Sequence, residues 1–159
     1  MFSFFKKLFG KKDNVDLVSQ FNEIFNQVAT TTVNSVQTEQ EEIPSYFTDK
    51  EFACKDGCGD SKMDPGFVDM LNKARHIAGK PWRVNSGKRC AANNKASGGV
   101  KGSAHTKGMA VDISAPNGAK KYEIVKAAME AGFTRIGIGK SFVHLDNDIT
   151  KPQNTIWLY

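Results

Sequence analysis

Ser103-Ala104-His105-Thr106-Lys107-Gly108-Met109-Ala110-Val111-Asp112-Ile113 decides the reading of this chain, because it carries a histidine through a glycine turn into an alternating stretch that holds an aspartate. Met109, Val111 and Ile113 alternate with Ala110, Asp112 and Ser114. In a β-strand the first set faces a core and Asp112 faces the opposite side. A second alternating run, Phe142-Val143-His144-Leu145-Asp146, turns Val143 and Leu145 toward the core and puts Phe142, His144 and Asp146 on the other face. If the two strands are neighbours, His105, Asp112 and His144 converge. Two imidazoles and one carboxylate, with the fourth position open to water, form the ligand set of a catalytic zinc site, whereas a structural site closes all four positions. The expectation is one zinc per chain.

Working outward, helices flank these strands. Asp64-Pro65 has the order of a cap and a first-turn proline, and Phe67, Met70, Leu71, Ala74, Ile77 and Ala78 form an apolar stripe that Gly79 ends. His76 falls opposite that stripe, so a solvated histidine is expected there. Asn117-Gly118 opens a second helix, with Ile124, Val125, Ala128 and Met129 turned inward and Gly132 closing it. Strands are expected over 82–86 and 133–138, and Gly137-Ile138-Gly139-Lys140 makes a hairpin-like connection into the His144 strand. Phe47–Phe52 reads as a short capped helical turn and residues 91–99 as a short helix and loop. The apolar end Trp157-Leu158-Tyr159 is expected to pair or pack on the sheet. The fold class is α+β: a small antiparallel sheet carrying the ligands, flanked by helices near 64–78 and 118–131.

Charge divides the chain. Residues 1–12 hold four lysines and no acid, residues 13–45 six acids and no base, and residues 46–159 carry 18 basic against 11 acidic side chains, within a net charge of +5. A basic domain is drawn to polyanions, whether nucleic acid, an acidic membrane or a bacterial wall rich in carboxylates and phosphates. No interleaving of aromatic and basic residues is present, so nucleic acid is not expected as a partner. A 40% apolar and 25% charged composition fits a globular protein, and no stretch approaches the roughly 20 apolar residues of a membrane span.

Residues 1–12 do not read as a conventional secretory signal, since the apolar run breaks at Lys6 and no small-residue cleavage site follows. Two readings stay open for them: a basic amphipathic turn in weak contact with an anionic membrane, or a terminal segment that packs on the protein or stays loose. Val15, Leu17, Val18, Phe21, Ile24, Phe25 and Val28 recur at helical spacing, and the Thr/Gln/Glu-rich stretch after them has little to bury. The domain expectation is a helical appendage over 1–29, a linker over 30–45 and a catalytic domain over 46–159. The three cysteines, Cys54, Cys58 and Cys90, allow a disulfide, metal ligands or free thiols. Three sulfurs leave a tetrahedral zinc one ligand short, and no secretory context is visible, so free or partly paired thiols are expected.

The pattern Ser103-x-His105-x-x-Gly108-x-Ala110-x-Asp112, followed by Val143-His144-x-Asp146 and preceded by Ser86-Gly87-Lys88-Arg89, resembles the zinc D-alanyl-D-alanine carboxypeptidase and L-alanyl-D-glutamate endopeptidase family. These are peptidoglycan-cutting enzymes, many of the phage endolysin type, related in fold to the Hedgehog signalling domain. The resemblance spans residues 46–159. It implies zinc held by His105, Asp112 and His144, a peptidoglycan stem peptide as substrate, and Arg89 at the active site, where a guanidinium fork can hold a carboxylate or stabilise an oxyanion. It also implies substrate contact by Ser103. Bound zinc would polarise the scissile carbonyl and acidify its water toward a pKa of about 7.

Many relatives carry a carboxylate three residues before the last histidine ligand; here that position is Ser141. Asp146, on the same face as His144, is then the nearest candidate for the general base, and it could equally orient a ligand imidazole. The substituted position keeps a second class in view, a zinc-containing wall-binding or phage structural module without turnover. A monomer is expected, made in the cytoplasm and acting at the bacterial cell wall.

Overall fold

The computed structural model of the chain describes residues 19–24 and 42–159. It divides into two compact units, Met1–Glu42 and Ile43–Tyr159. In the first unit residues 19–24 are helical and exposed, Phe21 and Ile24 included. The basic segment 1–12, the remainder of the helix expected over 13–28 and the linker as far as residue 41 lie outside the described residues. No described helix is long and apolar enough to cross a membrane.

The second unit begins with α1 (Asp49–Phe52), where Thr48 and Glu51 form a reciprocal capping box. In α2 (Pro65–Ala78), Asp64 Oδ1 accepts the Phe67 N–H at 2.9 Å, and Gly79 at φ 61° ends the helix in the left-handed region. There follow β1 (Val84–Ser86), α3 (Ala91–Ala96), α4 (Ala104–Lys107), β2 (Ala110–Ser114), α5 (Gly118–Ala131), β3 (Arg135–Ile138), β4 (Phe142–Asp146) and β5 (Thr155–Leu158). The five strands form one sheet in the order β1-β2-β4-β3-β5. All pairs are antiparallel except β3 with β5, which run parallel. The α+β class stands, with a sheet that is mostly antiparallel.

α2 and α5 pack together, and α5 packs on β4. Phe67, Leu71 and Ala74 of α2 and Ile124, Ala127, Ala128 and Ala131 of α5 close over Val111 and Ile113 of β2 and Val143 and Leu145 of β4. Each such fully buried leucine, isoleucine, valine or phenylalanine contributes about 1.5–3 kcal/mol. The alternation read in both strands therefore holds, with one face in this core and the other free for chemistry.

The helix stripes run differently at their edges. Ile77 and Met129 are exposed, while Asn72 is buried and accepts the Tyr46 N–H at 2.9 Å. The segment before α1 lies along the side of α2, so that side is covered by chain. For the same reason His76 is not the solvated histidine expected: it is half-buried, with Nδ1 2.8 Å from the Tyr46 hydroxyl.

Candidate metal centre

β2 and β4 are direct neighbours, with Asp112 opposite His144. His105 reaches the same point from α4, a single turn that Ser103 caps by accepting the His105 N–H at 3.3 Å. Gly108 at φ 75° then sends the chain into β2, and a Cβ there would stand 2.6 Å from the Lys62 carbonyl oxygen. This position requires glycine on both counts.

Three ligand-competent atoms meet at this point. His105 Nε2 lies 3.2 Å from His144 Nδ1 and 3.3 Å from Asp112 Oδ1, and His144 Nδ1 lies 2.9 Å from the same oxygen. A tetrahedral zinc with bonds of about 2.0–2.1 Å holds its nitrogen and oxygen ligands roughly 3.3 Å apart, so the donor set and its spacing both fit that ion. All three residues are buried.

The outer nitrogens and oxygen are engaged as well. His105 Nδ1 lies 2.7 Å from the Gly87 carbonyl, an acceptor only, so that nitrogen carries the proton and Nε2 keeps its lone pair for the centre. His144 has a carboxylate oxygen at each nitrogen, Asp112 Oδ1 2.9 Å from Nδ1 and Asp146 Oδ2 3.1 Å from Nε2, so with a metal on Nδ1 the Nε2 proton has Asp146 as its acceptor. Asp112 Oδ2 accepts from Arg89 Nη2 at 2.7 Å, and Arg89 Nε donates to Ser86 Oγ at 2.8 Å.

The electrostatics follow from this packing. Burial would raise the Asp112 carboxyl pKa, but hydrogen bonds and charge from His105 and His144 outweigh it and hold the group well below the carboxylate range. Burial would likewise depress His144, yet Asp112 and Asp146 together raise it. Asp146 is lowered in spite of its burial by His144, the Asp148 N–H and Arg135.

Asp146 is opposite Arg135 across β3 and β4. Its Oδ1 accepts from Arg135 Nε at 2.8 Å and from the Asp148 N–H at 3.1 Å, leaving Oδ2 for His144. Arg135 also donates from Nη1 to the Pro152 carbonyl and lies over the Trp157 ring. Ser141 is exposed, and its carbonyl accepts the Ala115 N–H.

A pocket of about 600 Å³ opens over the centre, lined among others by Arg89, Ser103, Phe142, Lys151, Trp157 and Tyr159. Trp157 and Tyr159 stand against the His144 ring, with centroids 5.5 and 6.1 Å away. Gly137 makes room for both rings, since a Cβ there would lie 2.6 Å from Tyr159 and 2.8 Å from Trp157. Burial and then the charge of Asp112 raise the Tyr159 phenol pKa. The structure thus brings together every site residue read from the sequence: His105, Asp112 and His144 at the centre, Asp146 and Arg89 directly behind two of them, and Ser103 at the cap. Arg135, Trp157 and Tyr159 were missed as site residues; the apolar C-terminus was legible as packing, and nothing marked it as a pocket wall.

A second group of metal-competent side chains, Cys54, Asp56 and Cys58 of the loop after α1 and Cys90 at the start of α3, gathers at one point, and all three cysteines are free of disulfides.

Residues 45–146 match the family model described as Peptidase M15. No curated protein matches the sequence.

Proposed function

The chain belongs to the peptidase M15 family, and on that premise we propose that it is a zinc peptidase cutting peptide bonds in the stem peptides of bacterial peptidoglycan, as a D-alanyl-D-alanine carboxypeptidase or as an endopeptidase. The observation that carries the reading is the triangle of His105 Nε2, Asp112 Oδ1 and His144 Nδ1, with edges of 2.9 to 3.3 Å, at the floor of an open pocket.

His105, Asp112 and His144 would hold the zinc, which would supply Lewis acidity for polarising a carbonyl and acidifying water. Everything else falls to the protein. Gly87 and Asp146 hold the two imidazoles in the tautomers that leave His105 Nε2 and His144 Nδ1 unprotonated toward the centre. Arg89 anchors Asp112 and stands in the pocket wall, where its guanidinium can also meet a substrate carboxylate or carbonyl oxygen. Lys151 adds positive charge to the same wall, which suits the carboxylate of a stem-peptide terminus. Phe142, Trp157 and Tyr159 give an apolar side that narrows access for water.

Asp146 acts on this reading as a positioning residue, because both of its oxygens already have partners. The same fact supports the second reading. Asp112 and Asp146 are the acids that line the pocket, and neither is free to take a proton from water. Such a site also suits a zinc-containing wall-binding module without turnover. Incubation of the zinc-loaded protein with purified peptidoglycan, followed by mass analysis of the soluble products, separates the two. Release of free D-alanine identifies a carboxypeptidase and cleaved stem peptides an endopeptidase. Retention on an unaltered wall identifies the binding module.

A further inference from the structure

We propose that Cys54, Asp56, Cys58 and Cys90 form a second, structural zinc site that fastens the loop after α1 to the arm carrying Arg89. The three sulfurs and one Asp56 oxygen all lie within 4.8 Å of one another. A tetrahedral zinc with sulfur ligands at about 2.3 Å sets its ligand atoms roughly 3.7 Å apart, so the four groups need close in only slightly. A thiolate-rich tetrahedral set selects zinc among the common hard and borderline divalent ions. With four protein ligands the position is closed, in contrast to the open site at His105, Asp112 and His144. The cysteines alone left zinc one ligand short, and Asp56 supplies the missing one.

The local backbone is shaped for such a site. Gly57 at φ 80° and Gly59 at φ 79° fold residues 54–60 into a tight loop closed by the Cys54 N–H on the Asp60 carbonyl at 2.8 Å, bringing side chains two apart onto one point. Two of the sulfurs already accept backbone N–H groups, as metal thiolates do. Cys54 Sγ accepts from the Cys90 N–H at 3.2 Å, and Cys90 Sγ from the Asn93 N–H at 3.3 Å. The Asp56 carboxylate accepts from the Cys90 thiol at 2.7 Å and from the Cys58 N–H at 3.0 Å. Zinc binding displaces the thiol protons, which leave to solvent, and the metal takes their place among the same four groups.

The consequence reaches the catalytic centre through Gly87 and Arg89. Gly87 packs directly on the Phe52 backbone, and the Lys88 N–H donates to the Phe52 carbonyl at 2.8 Å. The Gly87 carbonyl holds His105, and Arg89, next to Cys90, holds Asp112. A metal joining Cys90 to Cys54 and Cys58 braces that arm against α1.

The test is metal analysis of the full-length chain purified under reducing conditions with zinc. Two zinc ions per chain are expected. His105→Ala combined with His144→Ala should retain one, and its cobalt form should show an intense thiolate-to-cobalt charge-transfer band in the near ultraviolet. Cys58→Ser with Cys90→Ser should lose one zinc and that band. Should this variant fail to fold, the histidine double variant still decides, because it leaves all four proposed ligands in place. One zinc in the parent that the histidine double variant loses, no band in the histidine variant, or a disulfide between any two of the cysteines in the reduced preparation overturns the proposal, whereas one zinc that the histidine variant keeps counts against the histidine site alone.

Discussion

Replacing Asp146 with asparagine keeps the shape of the side chain and removes the one thing the site asks of it, two acceptor oxygens. Oδ1 serves the Arg135 and Asp148 N–H groups, and Oδ2 faces His144 Nε2. An amide has a single acceptor. If its oxygen stays with Arg135 and Asp148, its NH2 faces His144 Nε2 and selects the tautomer with the proton on Nδ1, the nitrogen that points at Asp112 and His105. Arg135 loses the charge opposite it in either orientation; if the amide also turns over, its NH2 meets two N–H donors and Arg135 loses its acceptor as well. The second outcome costs about 3–5 kcal/mol. The first is cheaper and falls on the metal. Loss of such an outer partner weakens zinc binding by about 10–100-fold, or roughly 1.4–2.7 kcal/mol. Asp146→Asn should show that loss in a chelator competition, and excess zinc should restore most of the peptidase rate. Unchanged zinc affinity together with a rate lower by about 10²–10⁴-fold would refute the positioning role and make Asp146 the general base.

Gly87→Ala places a Cβ 2.7 Å from Phe52 Cα and 2.8 Å from its carbonyl oxygen, backbone atoms with little freedom to yield. It should destabilise the fold by about 1–3 kcal/mol in denaturant melts and weaken zinc retention by displacing the carbonyl that holds His105. Lys107 donates to both oxygens of the buried Asp148, at 3.0 and 2.8 Å. Burial works against ionisation of Asp148, but Lys107 and Thr150 prevail and lower its pKa to about 2. A depressed folded-state pKa means stability that is present above the ordinary carboxylate value of about 3.9 and lost as pH falls toward 2. Lys107→Met should therefore lower Tm by about 4 °C at neutral pH, equivalent to roughly 1 kcal/mol, and the gap should close between about pH 4 and 2. A gap independent of pH would sink that account. A chain beginning at Ile43 should fold and keep its zinc, since Ile43–Tyr159 is a compact unit; cooperative melting and metal analysis check it, and a molten product would show that the first unit completes the core.

Two of the three inner candidate ligands were legible because a period-two pattern assigns faces without any knowledge of register; His105, on the turn before β2, was legible from its place in the motif. Val111 and Ile113 fixed the direction of Asp112, and Val143 and Leu145 fixed that of His144. What register decides was not legible. Arg135 stands opposite Asp146 only because β3 pairs with β4 in that alignment, and from sequence Arg135 was one basic residue among many. The choice between Nδ1 and Nε2 at each histidine depends on distant acceptors, the Gly87 carbonyl and Asp146. Asp56 went uncounted because a ligand in a turn obeys no period, and its approach to Cys90 joins segments far apart in sequence. Helix stripes failed at Ile77 and Met129 for a similar reason, since hydrophobicity marks the side that could be buried and the neighbouring elements decide how far coverage extends.

The central claim is that His105, Asp112 and His144 hold zinc through Nε2, a carboxylate oxygen and Nδ1. Diffraction from zinc-loaded crystals, recorded on both sides of the zinc absorption edge, tests it directly. The account predicts an anomalous peak about 2.0–2.2 Å from each of those three atoms, with the fourth position facing the pocket. A protein that takes up zinc yet shows no peak between the two histidines would contradict it.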